Sequence, residues 1–165
     1  MRMKETWTSD NAVADAYRAH LDQWVREEGC RKAGAVEFTV TITEDDEATT
    51  VVLDRQVPMK GLPGPAAKVI GDKVRIVQTE RWYAPDSGDV SRADITVEFP
   101  GKPIAMTAEA SIDPTDSGST EVVAGEVKVK VPMVGRVIEP EVVKQIVRSL
   151  RIEMQIGLDW LAEGN

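Results

Sequence analysis

Residues 125–165 read GEVKVKVPMVGRVIEPEVVKQIVRSLRIEMQIGLDWLAEGN, and this stretch decides the fold. Val127, Val129 and Val131 alternate with Lys128 and Lys130, the period of two that marks a half-buried strand. A corner punctuated by Pro132 and Gly135 follows, and a helix is expected over 139–161, with Pro140 in its first turn, where a missing N–H costs nothing. Val142, Val143, Ile146, Val147, Leu150, Met154, Leu158 and Leu161 make one broad apolar stripe along that helix. Lys144, Arg148 and Arg151 lie on another face and read as solvated. One long helix after a series of strands has an economical use, which is to cover the concave face of a curved antiparallel sheet.

Working back from that stretch, most of the chain reads as strands. Val36, Phe38, Val40 and Ile42 alternate with Glu37, Thr39, Thr41 and Thr43, and the acidic tip 44–47 turns the chain into a returning strand over 49–57. Residues 58–71, PMKGLPGPAAKVIG, carry three prolines and three glycines and read as a loop with one helical turn. Strands are then expected over 73–83, 90–99, 104–112 and 121–131, joined by a turn at 85–88, by Pro100-Gly101 and by 113–118. Such short connections favour antiparallel pairing. Ahead of them, residues 4–8 form a short strand. Two short helices follow, the first capped from Ser9-Asp10-Asn11, the second from Asp22, with a break near His20 and an end at Gly29.

Composition limits the function. The chain has 165 residues, a size that favours one domain over 1–165, with 42% hydrophobic and 29% charged residues, as in ordinary globular proteins. Its net charge of −8 argues against a nucleic-acid partner, because affinity for phosphates comes mainly from clustered Lys and Arg. No apolar run approaches the length that spans a bilayer, and the opening MRMKETWTSD lacks the apolar stretch of a signal peptide. Cys30 is the only cysteine, so no intramolecular disulfide and no cysteine metal cluster is expected. A cytoplasmic protein is the reading that fits these features. The acidic run Asp45, Asp46 and Glu47 lacks calcium-loop spacing, and no phosphate loop or nucleotide fingerprint occurs, so neither metal nor cofactor is expected. His20 is the only histidine, no serine lies in a nucleophile-elbow context, and His20 is assigned a structural role.

The order strand, two short helices, six strands, long helix resembles the helix-grip layout of the START and pollen-allergen-like (SRPBCC) superfamily. Particular segments resemble a bacterial family of uncharacterised START-like proteins: Gly71-Asp72 opening a strand that runs into Gln78-Thr79-Glu80-Arg81-Trp82, and residues 125–135, GEVKVKVPMVG, followed by Ile138-Glu139. The resemblance covers essentially the whole chain. It implies an α+β helix-grip fold, a curved antiparallel sheet of about seven strands around the C-terminal helix. It also implies the superfamily's habit of holding apolar small molecules between sheet and helix, such as a lipid or polyketide-like compound. It brings no catalytic motif.

Strand alternation nominates the residues that face such a cavity. One row is Val51, Leu53, Arg55 and Val57; the next is Val74, Ile76, Gln78, Glu80 and Trp82. Buried charges are expensive unless paired, so Arg55 and Glu80 are expected to be neighbours, either as a structural ion pair or, with Gln78, as a polar anchor for a ligand. The inner face of 104–112 carries Met106, Ala108 and Ala110, beside Gly125 and Val127. Small residues there leave space, which either the helix fills or a cavity occupies. Ile95, Val97, Trp82, Met106, Ala108 and Val127 complete the candidate lining, with Val143, Val147, Leu150 and Met154 as the lid. Met59 and Leu62, in the 58–67 loop, form either a gate over the mouth or an ordered connection. A cyclase or aromatase is the alternative function, with Glu80 as the candidate acid or base because burial would raise its pKa. A protein-interaction module is the third.

Overall fold

A computed structural model describes residues 1–87 and 89–165. Its elements in order are β1 (Arg2–Ser9), α1 (Val13–His20), α2 (Gln23–Lys32), β2 (Glu37–Glu44), β3 (Thr49–Pro58), α3 (Gly64–Ile70), β4 (Lys73–Tyr83), β5 (Ser91–Glu98), β6 (Ile104–Pro114), β7 (Ser119–Val129) and α4 (Gly135–Ala162). The seven strands form one antiparallel sheet in the order β1-β7-β6-β5-β4-β3-β2. Consecutive strands pair as hairpins from β2 to β7, while β1 crosses over to pair with β7. Gly88, which the sequence places in the turn after β4, lies outside the described residues.

The period of two does what it promises. Ile104, Met106, Ala108, Ala110 and Ile112 are all buried, while Ala105, Thr107 and Glu109 between them are exposed. The rows from β3 and β4 turn inward as expected, Arg55, Gln78 and Glu80 included, each at most 4% exposed. Helices α1, α2 and α4 lie on this inner face, and Val142, Val143 and Ile138 of α4 join the core.

Several expected boundaries shift for identifiable reasons. The cap of α1 is Ala12, with no side-chain hydrogen bond. Ser9 is instead the last residue of β1, and its hydroxyl accepts from the Asn11 amide at 3.3 Å. Asp22 does cap α2, accepting from the Val25 amide at 2.9 Å. That helix runs past Gly29 to Lys32, because Gly29 marks a close helix crossing: a Cβ there would lie 3.1 Å from Glu153 Cγ of α4. Helix α4 starts at Gly135 and not at 139, so Pro140 sits inside it and not in its first turn. One intrahelical hydrogen bond is lost there.

The small residues Ala108, Ala110 and Gly125 of β6 and β7 line neither of the spaces under α4. Gly125 pairs with Ala108 across the two strands, and a Cβ on Gly125 would lie 2.5 Å from the Ala108 Cβ and 2.5 Å from the Thr107 carbonyl oxygen. The absent side chain is what permits the two strands to approach. Ala108, Ala110 and Gly125 are therefore packed structure, and the interior space lies elsewhere.

Candidate functional site

That space is a cavity of about 330 Å³ under α4, toward the β3–β5 side of the sheet. Its floor is Val74 and Ile76 of β4, Ile95 and Val97 of β5, Phe99 and Met106. Val142, Ile146, Leu150 and Ile152 of α4 close it from above, and Ile70 of α3 with Met59 of the preceding loop close one side. Met59 and Leu62 are half-buried and pack on the core, and only Met59 reaches the cavity wall. At its inner end the wall turns polar, with Arg55, Gln78 and Glu153.

Those three belong to a larger buried network. Arg55 donates through Nη1 to Glu153 Oε1 at 2.6 Å and through Nη2 to Gln78 Oε1 at 2.8 Å. Gln78 Nε2 donates to Glu80 Oε1 at 2.5 Å, and Trp82 Nε1 donates to Glu80 Oε2 at 2.7 Å. Arg26 of α2 also donates to Glu80 Oε1, and its guanidinium lies 3.9 Å from Glu153. The Arg26 Nε–H has no hydrogen-bond partner among the described residues. Beyond Trp82, the His20 ring stacks on the indole with centroids 4.2 Å apart, and His20 Nε2 lies 2.9 Å from Glu121 Oε2.

The expected Arg55–Glu80 pair is thus replaced by two others. In the β3–β4 register Arg55 faces Ile76 while Glu80 faces Val51. The two positions are therefore four strand residues apart, about 13 Å. Gln78 bridges them, and the charges are satisfied from the helices, Glu80 by Arg26 and Arg55 by Glu153.

Burial alone would push the Glu80 pKa up; the Arg26 and His20 charges and the hydrogen bonds from Trp82 and Gln78 outweigh it and hold the carboxyl below its ordinary value. Burial likewise would lower the Arg26 and Arg55 pKa values, but the facing carboxylates raise both. In Glu80, Arg26 and Arg55 the charged form is the one these surroundings favour. Glu80 also does not line the cavity, which removes the geometric and the electrostatic grounds for naming it an acid or base.

Of the candidate lining, Arg55, Gln78, Ile95, Val97, Met106 and Leu150 reach the cavity wall. Glu80 and Trp82 lie behind it in the network, and Ala108 and Val127 are packed in the core. Val143 and Val147 pack on the core beside the cavity and not against it. Met154 lines a separate chamber of about 30 Å³ with His20, Arg26, Glu121 and Glu153. Sequence reasoning missed Arg26 and Glu153. Each carried a signal: Glu153 continues the spacing of Ile146 and Leu150, and Arg26 shares the buried face of α2 with Val25, Gly29 and Cys30.

A seven-stranded antiparallel sheet gripping a long C-terminal helix, with two short helices after its first strand, defines the helix-grip fold. Solved structures agree. A protein from Thermus thermophilus is 16% identical over 96% of this chain and 98% of its own, with a TM-score of 0.61. The ZhuI aromatase/cyclase from a Streptomyces species is 11% identical over 96% and 92%, with a TM-score of 0.58. A norcoclaurine synthase point mutant from Thalictrum flavum, in complex with a transition state analogue, is 14% identical over 96% and 94%, with a TM-score of 0.54. At these identities the likeness is one of fold alone. The chain belongs to the family described as protein of unknown function (DUF2505), whose model matches residues 4–161. No curated protein matches it. Among the described residues no helix is long and apolar enough to cross a membrane.

Proposed function

We propose that this chain, acting as one domain over residues 1–165 in the cytoplasm, binds an apolar small molecule under α4. The observation that carries the reading is the cavity itself, about 330 Å³ and walled mainly by aliphatic side chains and Phe99. The polar groups of Arg55, Gln78 and Glu153 stand at its inner end, with Lys60, Gln145, Arg148 and Ser149 elsewhere in the wall. An apolar wall with a few convergent polar groups is the usual anatomy of a small-molecule site, and the volume lies at the lower end of the range such sites span. Helix-grip neighbours that include an aromatase/cyclase support use of the fold around small organic molecules. The cyclase-type alternative is less well supported, because the one carboxylate in the wall, Glu153, is paired with Arg55.

The test is a fluorescence titration with N-phenyl-1-naphthylamine, an uncharged apolar reporter. Saturable enhancement is expected with the natural sequence, and its loss in Val97→Phe, which places a phenyl ring in the cavity floor, with thermal unfolding unchanged. No enhancement, or enhancement indifferent to that substitution, sinks the proposal.

A further inference from the structure

Resting on the ligand-binding reading, we infer that the occupant is an anionic amphiphile, oriented with its apolar body inward and its negative head group at the cavity mouth. Two features of the wall lead there.

The inner end offers polarity without net charge. Arg26 and Arg55 bring two positive charges and Glu80 and Glu153 two negative ones, all within one contacting network. An anionic head group placed against Arg55 would have to displace Glu153, leaving a carboxylate buried without its partner, which is among the costlier changes a protein interior can suffer. What fits at that end is an apolar terminus or a neutral hydrogen-bonding group meeting Gln78.

The mouth is different. Of all the residues in the cavity wall, only Gly34, Lys60 and Arg148 are exposed, so these mark where the cavity meets solvent. Two of the three are cations. Lys60 stands in the loop before α3 and Arg148 on α4, so they approach the opening from different elements. Neither side chain forms an ion pair or hydrogen bond among the described residues, and the wall contains no acid besides Glu153. In a chain where Asp and Glu outnumber Lys and Arg 28 to 20, a rim drawn at random would lean negative. Once the Arg55–Glu153 pair is set aside, this one carries a local charge of +2 from Lys60 and Arg148. Unpaired cations around an apolar opening attract anions and repel cations, and they keep a carboxylate, sulfonate or phosphate in water while its tail is buried.

The experiment displaces bound N-phenyl-1-naphthylamine with three probes of one tail length: decanoate, decan-1-ol and decylammonium, at pH 7. Decanoate should compete about tenfold better than decanol, the size expected of two exposed cation–anion contacts. Decylammonium should be the weakest of the three. The decanoate advantage should vanish in the Lys60→Met/Arg148→Met double variant, and shrink in 1 M salt, where the Debye length falls to about 3 Å. Decanol binding should stay as it was in both cases. Equal competition by decanoate and decanol overturns the inference while leaving the cavity reading intact. So does a decanoate advantage that survives the double variant, because the head group would then sit away from Lys60 and Arg148. Failure of the reporter to bind at all overturns the cavity reading and this inference with it.

Discussion

Replacing Arg26 by methionine tests the electrostatic architecture most directly. Methionine retains much of the length and apolar volume of the arginine stem, so the change removes mainly the charge and its donors. Glu80, 3% exposed, would keep its hydrogen bonds from Gln78 and Trp82 but lose the cation beside it. Breaking a buried pair by removing one partner costs about 3–5 kcal/mol. For a domain of this size that corresponds to a fall in Tm of roughly 6–20 °C.

The pH dependence carries the sharper signature. In the natural chain burial pushes Glu80 up, and Arg26, His20 and the hydrogen bonds from Trp82 and Gln78 together more than offset it, so the folded carboxyl titrates below its unfolded value. Its contribution to stability is therefore present above the unfolded pKa and disappears as the pH falls through the folded one. Without Arg26 the largest of these lowering influences is gone, and the folded pKa is expected to rise. The carboxyl then contributes less to stability at neutral pH than in the natural chain, and the difference disappears as acid protonates it in both. The gap between natural chain and variant should thus be widest near pH 7 and narrow on acidification toward pH 4. Urea unfolding followed by circular dichroism at both pH values measures it, with an unchanged m-value as the check that the same transition is observed. Adding Glu80→Gln to Arg26→Met should restore part of the loss, since no charge is then stranded. A gap below about 1 kcal/mol at pH 7, or one indifferent to pH, refutes the claim that Arg26 is what keeps Glu80 ionised inside the protein.

Two further outcomes follow from packing. Gly125→Val should destabilise the protein by at least the roughly 1–3 kcal/mol typical of overpacking, because its Cβ would collide with Ala108 and the Thr107 carbonyl; a Tm equal to that of the natural chain would show that the two strands separate easily. Cys30 is fully buried and burial raises its thiol pKa, so maleimide should label it only on unfolding. Labelling of the native protein at the rate seen in denaturant would contradict that burial.

The fold was legible because its signals are local. Alternation in β4 assigns Val74, Gln78, Glu80 and Trp82 to one face whatever the rest of the chain does, and the stripe on α4 needs no partner to be seen. The site was legible only in part, because its pairings are not local. Arg26 and Glu80 are 54 residues apart in sequence, and Arg55 and Glu153 are 98 apart. Strand phase showed that Arg55 and Glu80 were buried and in need of partners, and the nearest candidates in sequence were each other. Register and helix packing supplied better ones. The row of small residues misled for a related reason: Ala108 and Gly125 read singly look like missing volume, but as cross-strand partners they fill each other's space.

Glu153 ties the site together. Among the described residues it alone lines both the main cavity and the 30 Å³ chamber beside His20 and Glu121. Held by Arg55 on one side and approached by Arg26 on the other, it forms the wall between the two. On the proposed reading, a ligand entering past Lys60 and Arg148 would meet that wall as its limit, and the buried ion network would set how long an apolar body the cavity accepts. Specificity for length would then reside in charged residues that no ligand needs to touch strongly. The same pairing fixes α2 and α4 against the sheet, which joins the stability of the fold and the depth of its cavity in one set of contacts.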